Sequence, residues 1–346
     1  MRIALVNDVS MAVAAMRQIV LSSGGEHQVA WIAHDGAEAV EHCAGDTPDL
    51  ILMDLLMPRM NGVEATRRIM AATPCPIVVV TANVGRNSSK VFEAMGAGAL
   101  DAVNTPVLEC PGVGDGAQPL LAKIETIRRL VGAGGANGPS SAPNRFSRRP
   151  DQRHTCLVAM GASAGGPAAV AGVLAHLPAG FPAPVVVVQH VDEEFVQGLA
   201  DWLGHQSRFR VRVAREGDQP QAGTVLLAGR EDHLVFAGPA RLAYTRHPAA
   251  CSYRPSIDVF FESAGRFWPG DIIGVLLSGM GRDGAEGLRL LRQNGHFTIA
   301  QDERTSAVYG MPKAAAELHA ATEILALDKI GPRLSNMVAR GFMAHG

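Results

Sequence analysis

The stretch from Cys156 to Pro167 combines an apolar run, a turn rich in glycine and the start of a helix. Its first five residues are typical of a buried strand, and Pro167 lies where the first turn of a helix favours proline. Between them, Gly161 and Gly165 flank Ser163 in the pattern G-x-S-x-G, which allows a sharp turn and leaves the hydroxyl exposed. By itself the pattern is equally compatible with a structural turn, a phosphate-binding loop or a nucleophilic serine.

Two further apolar runs lead to residues that a nucleophilic serine would need. Pro184–Gln189 is rich in valine and is followed by His190, and Asp271–Leu277 leads to Asp283 in a segment rich in glycine. Functional groups of open parallel sheets collect outside the carboxyl ends of the strands. Ser163, His190 and Asp283 are therefore predicted to form a Ser-His-Asp constellation. Each alone also has a simple structural interpretation, as a turn residue, a hydrogen-bonded histidine or a helix cap.

The order of these residues along the chain is serine, histidine, acid. In an α/β-hydrolase the acid precedes the histidine. The turn around Ser163 is thus similar to that of a hydrolase, but the fold is expected to be a different one.

Five short blocks carry a resemblance to a known family, and it extends in register from about Thr155 to the C-terminus. The blocks are Gly161–Gly166, Gln189–His190, Tyr253–Asp258, Ser278–Gly284, and Gln301–Glu303 together with Tyr309–Pro312. Together they resemble the catalytic domain of chemotaxis-type protein-glutamate methylesterases. The resemblance implies hydrolysis of glutamate methyl esters on methyl-accepting chemoreceptors, with deamidation of glutamine as a related reaction and no cofactor for either.

The resemblance also implies roles for individual residues. Ser163 would be the nucleophile, His190 its base and Asp283 the acid that orients the imidazole. The backbone N–H of Met280 would hold the oxyanion. Three further residues would shape the substrate cleft: Arg254, Gln301 and Tyr309.

The first part of the chain alternates apolar runs with helical patterns such as Gly62–Ala71. Four runs are predicted strands: Arg2–Asp8, Pro48–Asp54, Ile77–Ala82 and Ala99–Pro106. This alternation predicts a doubly wound parallel sheet. Asp8 and Asp54 end two of the runs, and acids at neighbouring strand ends suit Mg²⁺, which prefers oxygen ligands. A carboxylate beside that cation can accept a phosphoryl group.

Residues 1–130 resemble response-regulator receiver domains. The resemblance implies phosphorylation of Asp54 by a CheA-type histidine kinase, with Mg²⁺ bound by Asp8, Asp54 and the carbonyl of Leu56. Thr81 would be the switch hydroxyl, and Thr105 occupies the second switch position.

Two positions depart from the common receiver pattern. Asn7 replaces the first acid of the usual pair, and Thr105 replaces the usual lysine before proline. Losing a carboxylate should weaken metal binding, and losing an ammonium removes a phosphate contact. Asn7–Asp8 and the segment Asp101–Pro106 resemble methylesterases of Wsp-type surface-sensing pathways more than those of flagellar chemotaxis.

The length predicts two domains, and the two resemblances imply that both are α/β domains of doubly wound parallel sheets, a flavodoxin-like receiver and a Rossmann-like methylesterase. With 346 residues, each half can bury its own core. A segment rich in glycine, proline and serine predicts a flexible linker over 131–154 between domains at 1–130 and 155–346. The net charge of −2 does not favour nucleic-acid binding. Five scattered cysteines and no long apolar run predict a cytoplasmic protein without membrane insertion.

Two other classes of function remain open from the sequence. A non-catalytic phosphorelay adaptor would keep the fold without hydrolysing esters, and the retained Ser163, His190 and Asp283 argue against it. A nucleotide-binding oxidoreductase would need G-x-G-x-x-G and an acid at the end of the next strand. Here the glycine segment lacks that spacing, and Gln189–His190 stands where the acid would be.

Overall fold

Two parallel sheets form the frameworks of the two halves of the chain. The computed structural model describes residues 1–22, 26–82, 87–106, 117–132, 156–251 and 253–339. The chain divides into two units, Met1–Asn137 and Gly138–Gly346. Except for its first two residues, which end a helix, the predicted linker 131–154 lies outside the described residues.

The first unit has a five-stranded sheet in the order β2-β1-β3-β4-β5, with every strand parallel to its neighbours. The strands are β1 Arg2–Val6, β2 Gln28–Ala33, β3 Leu50–Met53, β4 Ile77–Thr81 and β5 Asp101–Asn104. The helices are α1 Ser10–Leu21, α2 Gly36–Gly45, α3 Gly62–Ala72, α4 Ser88–Gly96 and α5 Gln118–Gly132. β3 and β4 are buried along their whole length, which explains why their sequences are continuous apolar runs.

The second unit has a seven-stranded parallel sheet in the order β14-β13-β12-β6-β7-β9-β8, and a separate antiparallel hairpin. The sheet strands are β6 Leu157–Ala162, β7 Val185–Gln189, β8 Arg210–Val213, β9 Thr224–Leu227, β12 Ile272–Leu276, β13 Phe297–Gln301 and β14 Glu323–Leu325. The hairpin strands are β10 His233–Gly238 and β11 Arg241–Thr245. The helices are α6 Gly166–Ala175, α7 Glu193–Gln206, α8 Ile257–Phe267, α9 Ala285–Gln293, α10 Met311–Glu317 and α11 Leu327–Ala339.

These two sheets confirm the predicted fold class. The three strands that precede Ser163, His190 and Asp283 are neighbours at the centre of the larger sheet, in the order β12-β6-β7. Their register pairs Leu276 with Gly161 and Ala162 with Gln189. All three strands are completely buried, because helices cover both faces of a sheet of this kind.

No helix within the described ranges is long and apolar enough to span a membrane. The four cysteines among those residues, Cys43, Cys75, Cys156 and Cys251, carry free thiols.

Gly62 allows the start of α3 to approach the end of β3. A Cβ atom at this position would lie far inside van der Waals contact of the backbone carbonyl oxygen of Asp54. Gly45, the last residue of α2, has open space around the position of its missing Cβ.

We therefore expect Gly62→Ala to destabilise the first unit by roughly 1–3 kcal/mol, because backbone must move to admit the methyl group. Gly45→Ala is the matched control and should be neutral or stabilising by up to about 1 kcal/mol, since alanine has the higher helix propensity. Denaturant unfolding of the full chain measures both changes. Equal stabilities of the two variants would contradict the close approach at Gly62.

Candidate active site

Ser163 and His190 follow neighbouring strands, and backbone hydrogen bonds continue the ladder beyond the strand ends. Ser163 N donates to the carbonyl of Ser278 at 3.0 Å, and His190 N donates to the carbonyl of Ala162 at 3.0 Å. Asp283 lies seven residues beyond β12, immediately before α9. The sheet therefore brings the three predicted residues together beyond the carboxyl ends of its central strands.

The turn around Ser163 is tight, and glycine is required in it. Gly165 has a φ of +71°, a conformation that residues with a Cβ rarely adopt. The carbonyl of Ser163 accepts two hydrogen bonds, from Gly166 N at 2.7 Å and from Gln189 Nε2 at 2.8 Å. These bonds fix the backbone that carries the hydroxyl.

His190 contacts Asp283 through one ring nitrogen only. Its Nε2 lies 2.9 Å from Asp283 Oδ2, and the side chains are 11% and 7% exposed. Because an ionised carboxylate only accepts hydrogen bonds, Nε2 carries the proton and Nδ1 has the lone pair. Nδ1 is buried and has no hydrogen-bond partner in the described part of the chain. It is thus the nitrogen available to take a proton from Ser163.

The Ser163 hydroxyl makes no hydrogen bond to His190 within the described residues. Catalytic hydrogen bonds of this kind often tighten only when a substrate is bound.

Asp283 lies at the N-terminus of α8. Its carboxylate accepts hydrogen bonds from Ser256 Oγ at 2.8 Å, Ile257 N at 2.7 Å and Asp258 N at 3.2 Å. Burial favours the neutral acid, but the hydrogen bond and charge of His190 and these donors outweigh it and lower the pKa of Asp283. The acid therefore remains ionised although it is buried.

Two contacts of the site were not predicted as site features from the sequence. Ser256 joins Asp283 to the fully buried His233, since Ser256 N donates to His233 Nδ1 at 3.0 Å. The Tyr253 ring stacks on the His190 ring, with centroids 4.7 Å apart and planes 2° from parallel. Tyr253 and Ser256 belong to the block Tyr253–Asp258, so that block was the signal that could have identified them.

Hydrogen bonds to the segment around β13 and the loop after it hold the turn that contains Met280. Ser278 N donates to Gln301 Oε1 at 2.8 Å, and Gly279 N donates to the carbonyl of Val308 at 3.1 Å. The N–H of Met280 donates to no group in the described ranges, so it is available to an oxyanion. Gln301 is only 1% exposed, and its hydrogen bond with Ser278 N supports this turn.

The other two predicted cleft residues lie nearer the surface. Tyr309 forms an isolated β-bridge with Gly279 and is partly buried. Arg254 is exposed, and its Nη2 donates to the carbonyl of Ala249 at 2.6 Å.

A second carboxyl group, that of Asp258, lies beside Asp283. Its Oδ1 accepts a hydrogen bond from Gly287 N at 2.6 Å. Burial, followed by the negative charge of Asp283, raises the pKa of Asp258 from 3.8 to about 7. This group is therefore protonated in the folded protein over a range where it is ionised in the unfolded chain.

This difference predicts that the second unit loses stability as pH rises from about 4 to about 7. In that interval the folded state binds more protons than the unfolded state, so the free energy of unfolding falls with pH. Asp258→Asn should flatten the fall while keeping an acceptor for Gly287 N. The measurement is denaturant unfolding of both proteins at several pH values. Parallel stability curves would show that Asp258 titrates normally.

Asp54 follows β3 in the first unit, and Asp8 follows the adjacent strand β1. Asp54 is buried, and Leu55 N donates to its Oδ1 at 2.7 Å. Burial raises the pKa of Asp54 to about 6; hydrogen bonds from Leu55 and Leu56 oppose the rise, and the charge of Asp8 adds to it. Asp8 and Leu56 are exposed.

The oxygen atoms at this edge suit Mg²⁺. The carboxylate of Asp8 lies close enough for its charge to raise the pKa of Asp54. A bound divalent cation would neutralise both charges. The described residues contain no group of three or more histidine, cysteine or acidic side chains that could hold a metal. Mg²⁺ is commonly bound by one or two carboxylates with several waters, so a site built on the carboxylates of Asp8 and Asp54 would fit this cation.

Three other predicted or unusual positions surround this site. Asn7 is buried, and its Oδ1 accepts a hydrogen bond from Val9 N at 2.8 Å. Thr81 ends β4, and its Oγ1 accepts from Asn87 Nδ2 at 2.9 Å. Thr105 N donates to the carbonyl of Thr81 at 2.9 Å, so the two residues predicted as switch positions lie side by side.

Comparison with known proteins finds relatives of both units. Residues 158–334 match the family described as CheB methylesterase, and residues 3–109 match the family described as response regulator receiver domain. A protein-glutamate methylesterase/protein-glutamine glutaminase of Mesorhizobium japonicum is 58% identical over 336 residues, which cover 96% of this chain and 98% of that protein. A protein of the same description from Burkholderia thailandensis is 54% identical over 340 residues, covering 98% of each.

A solved structure matches the second unit. The crystal structure of the Thermotoga maritima CheB methylesterase catalytic domain is 33% identical and superposes with a TM-score of 0.50. The match covers 52% of this chain and 97% of that one.

Proposed function

Because this chain belongs to the CheB methylesterase family and carries a response regulator receiver domain, we propose that it hydrolyses glutamate methyl esters on chemoreceptor-type signalling proteins. The reaction would reset the methylation state of the receptor and so give adaptation of a chemosensory pathway. The same site would deamidate glutamine side chains, an activity that the names of the relatives also carry.

One observation carries the assignment of the catalytic residues. The imidazole of His190 is held at Nε2 by a buried, ionised Asp283 and leaves Nδ1 buried without a hydrogen-bond partner in the described part of the chain. A ring held in this way is prepared to accept a proton from a nearby hydroxyl.

The proposed reaction follows from this arrangement. Nδ1 of His190 takes the proton of Ser163 as Oγ attacks the γ-carbonyl carbon of the methylated glutamate. The Met280 N–H donates to the oxyanion of the tetrahedral intermediate. The intermediate collapses, and methoxide leaves as methanol with the proton held by His190. Water then attacks the acyl-enzyme by the same route and regenerates Ser163 and glutamate.

Ser163→Ala should abolish methanol release from a methylated receptor fragment, because loss of a triad nucleophile can reduce turnover by about 10⁶. His190→Ala should have a similar effect, whereas Asp283→Asn should be milder because the acid only orients the ring. Ser335→Ala is the control, since that hydroxyl binds the carbonyl of Gly331 within the remote helix α11.

The methanol-release assay also distinguishes the proposed esterase from a non-catalytic adaptor. Activity of Ser163→Ala above about a tenth of wild type would exclude Ser163 as the nucleophile. A folded wild-type protein that binds receptor without releasing methanol would instead be the non-catalytic adaptor.

We further propose that phosphorylation of Asp54 by a CheA-type histidine kinase regulates the esterase. Bound Mg²⁺ would offset the negative charge of the transferring phosphoryl group. Asp8, Asp54 and the carbonyl of Leu56 would hold the cation, and Thr81 and Thr105 would respond to the phosphoryl group. Asp54 is suited to accept the group because it directly follows a buried strand and lies near a second carboxylate, that of Asp8.

Asp54→Asn should remove both acid-labile phosphate and any response of methanol release to a small phosphodonor with Mg²⁺. Asn7→Asp should tighten Mg²⁺ binding, because an added charge in contact with the cation is worth about 1–4 kcal/mol at effective dielectrics of 80 to 20. Phosphate incorporation and calorimetric Mg²⁺ titration measure these effects. Phosphate on the Asp54→Asn protein would show that another residue is the acceptor. Identical Mg²⁺ affinities of wild type and Asn7→Asp would show that the cation does not bind beside Asn7.

The motifs at Asn7–Asp8 and Asp101–Pro106 lead us to propose a Wsp-type surface-sensing pathway as the setting. The support for this branch is the resemblance of those two motifs.

A further inference from the structure

His190 needs a second restraint besides Asp283. The bond between Nε2 and Asp283 Oδ2 fixes one atom of the ring and permits rotation about the line of that bond. Nδ1 receives no hydrogen bond within the described residues, so no polar group there restrains the other side. The orientation of the lone pair on Nδ1 therefore depends on what packs against the ring.

Tyr253 provides that packing. The two ring planes lie within 2° of parallel, and the centroids are 4.7 Å apart. This separation is at the short end of the 4.5–7 Å range that stacked aromatic rings prefer. An aromatic face beside the imidazole also favours the cation that forms when Nδ1 takes a proton.

The hydroxyl end of Tyr253 packs over Gly281, next to Met280. A Cβ atom at Gly281 would lie 2.8 Å from Tyr253 Oη, and Gly281 has a φ of +79°. The tyrosine thus spans from the catalytic base to the turn that carries the oxyanion donor. Although it is 36% exposed, its position is defined at both ends.

We propose that Tyr253 is a positioning residue for catalysis, which keeps the His190 ring oriented toward Ser163 and covers it from solvent. The proposal rests on the proposed role of His190 as the base. It assigns the effect to the aromatic ring and not to the hydroxyl group, because the ring makes the contact with the imidazole.

The test uses the full-length protein and two readouts. The first is the rate at which a fluorophosphonate probe labels Ser163, which reports the reactivity of the Ser-His pair without any receptor. The second is kcat and KM for methanol release from a methylated receptor fragment. Tyr253→Leu removes the aromatic ring, and Tyr253→Phe removes only the hydroxyl.

For Tyr253→Leu we expect labelling and kcat to fall roughly three- to tenfold with little change in KM. Tyr253→Phe should retain both rates. Phe297→Leu is the matched control and should behave as wild type. Phe297 is the first residue of β13 and lies at the amino end of the sheet, away from the carboxyl ends that carry the site. Unchanged thermal unfolding shows that each variant is folded.

Several results would overturn the proposal. Wild-type rates in Tyr253→Leu would show that the stack is unnecessary, and equal losses in the Leu and Phe variants would assign the effect to the hydroxyl. A raised KM with unchanged kcat and labelling would make Tyr253 a substrate contact. Wild-type protein that is labelled at Ser163 but releases no methanol would contradict the proposed function and leave the labelling test of Tyr253 valid.

Discussion

The proposed active site depends on the placement of the Asp283 carboxylate at the N-terminus of α8. A buried carboxylate without partners would take up a proton and could no longer orient a histidine. Ser256 Oγ and the first backbone N–H groups of the helix supply the donors that keep it ionised, and the helix dipole acts in the same direction. The charge so maintained adds to burial in raising the pKa of the neighbouring Asp258, and it fixes the tautomer of His190.

The position of α8 also explains why the chain order differs from that of an α/β-hydrolase. The proposed nucleophile and base follow the adjacent strands β6 and β7, and the proposed acid comes from the segment after β12 on the other side of β6. The acid is oriented by a helix that enters from outside the sheet and not by its own strand. Segment 253–258 thus organises two residues, because Ser256 binds the acid and Tyr253 stacks on the base.

The sequence predicted the parts of the site that follow from sheet topology. β6, β7 and β12 are buried on both faces, so they are continuous apolar runs, and the residues at their ends could be assigned to one edge. β2 was missed because it is an edge strand in which only Ala33 is buried, and β8 because its arginines alternate with partly buried valines. The roles of Ser256 and Tyr253 depend on long-range packing against residues far away in the chain, which no local pattern encodes.

The two acids Asp54 and Asp283 show how surroundings give the same side chain different properties. Both follow buried parallel strands, but Asp283 has a histidine and three hydrogen-bond donors, and its pKa is lowered. For Asp54, burial outweighs the backbone donors, the negative charge of Asp8 adds to it, and the pKa is raised to about 6. An acid stabilised as an anion by the protein is suited to hold another residue in place. An acid whose charge the protein leaves uncompensated is suited to bind a cation, which agrees with the proposed role of Asp54 as the phosphoryl acceptor.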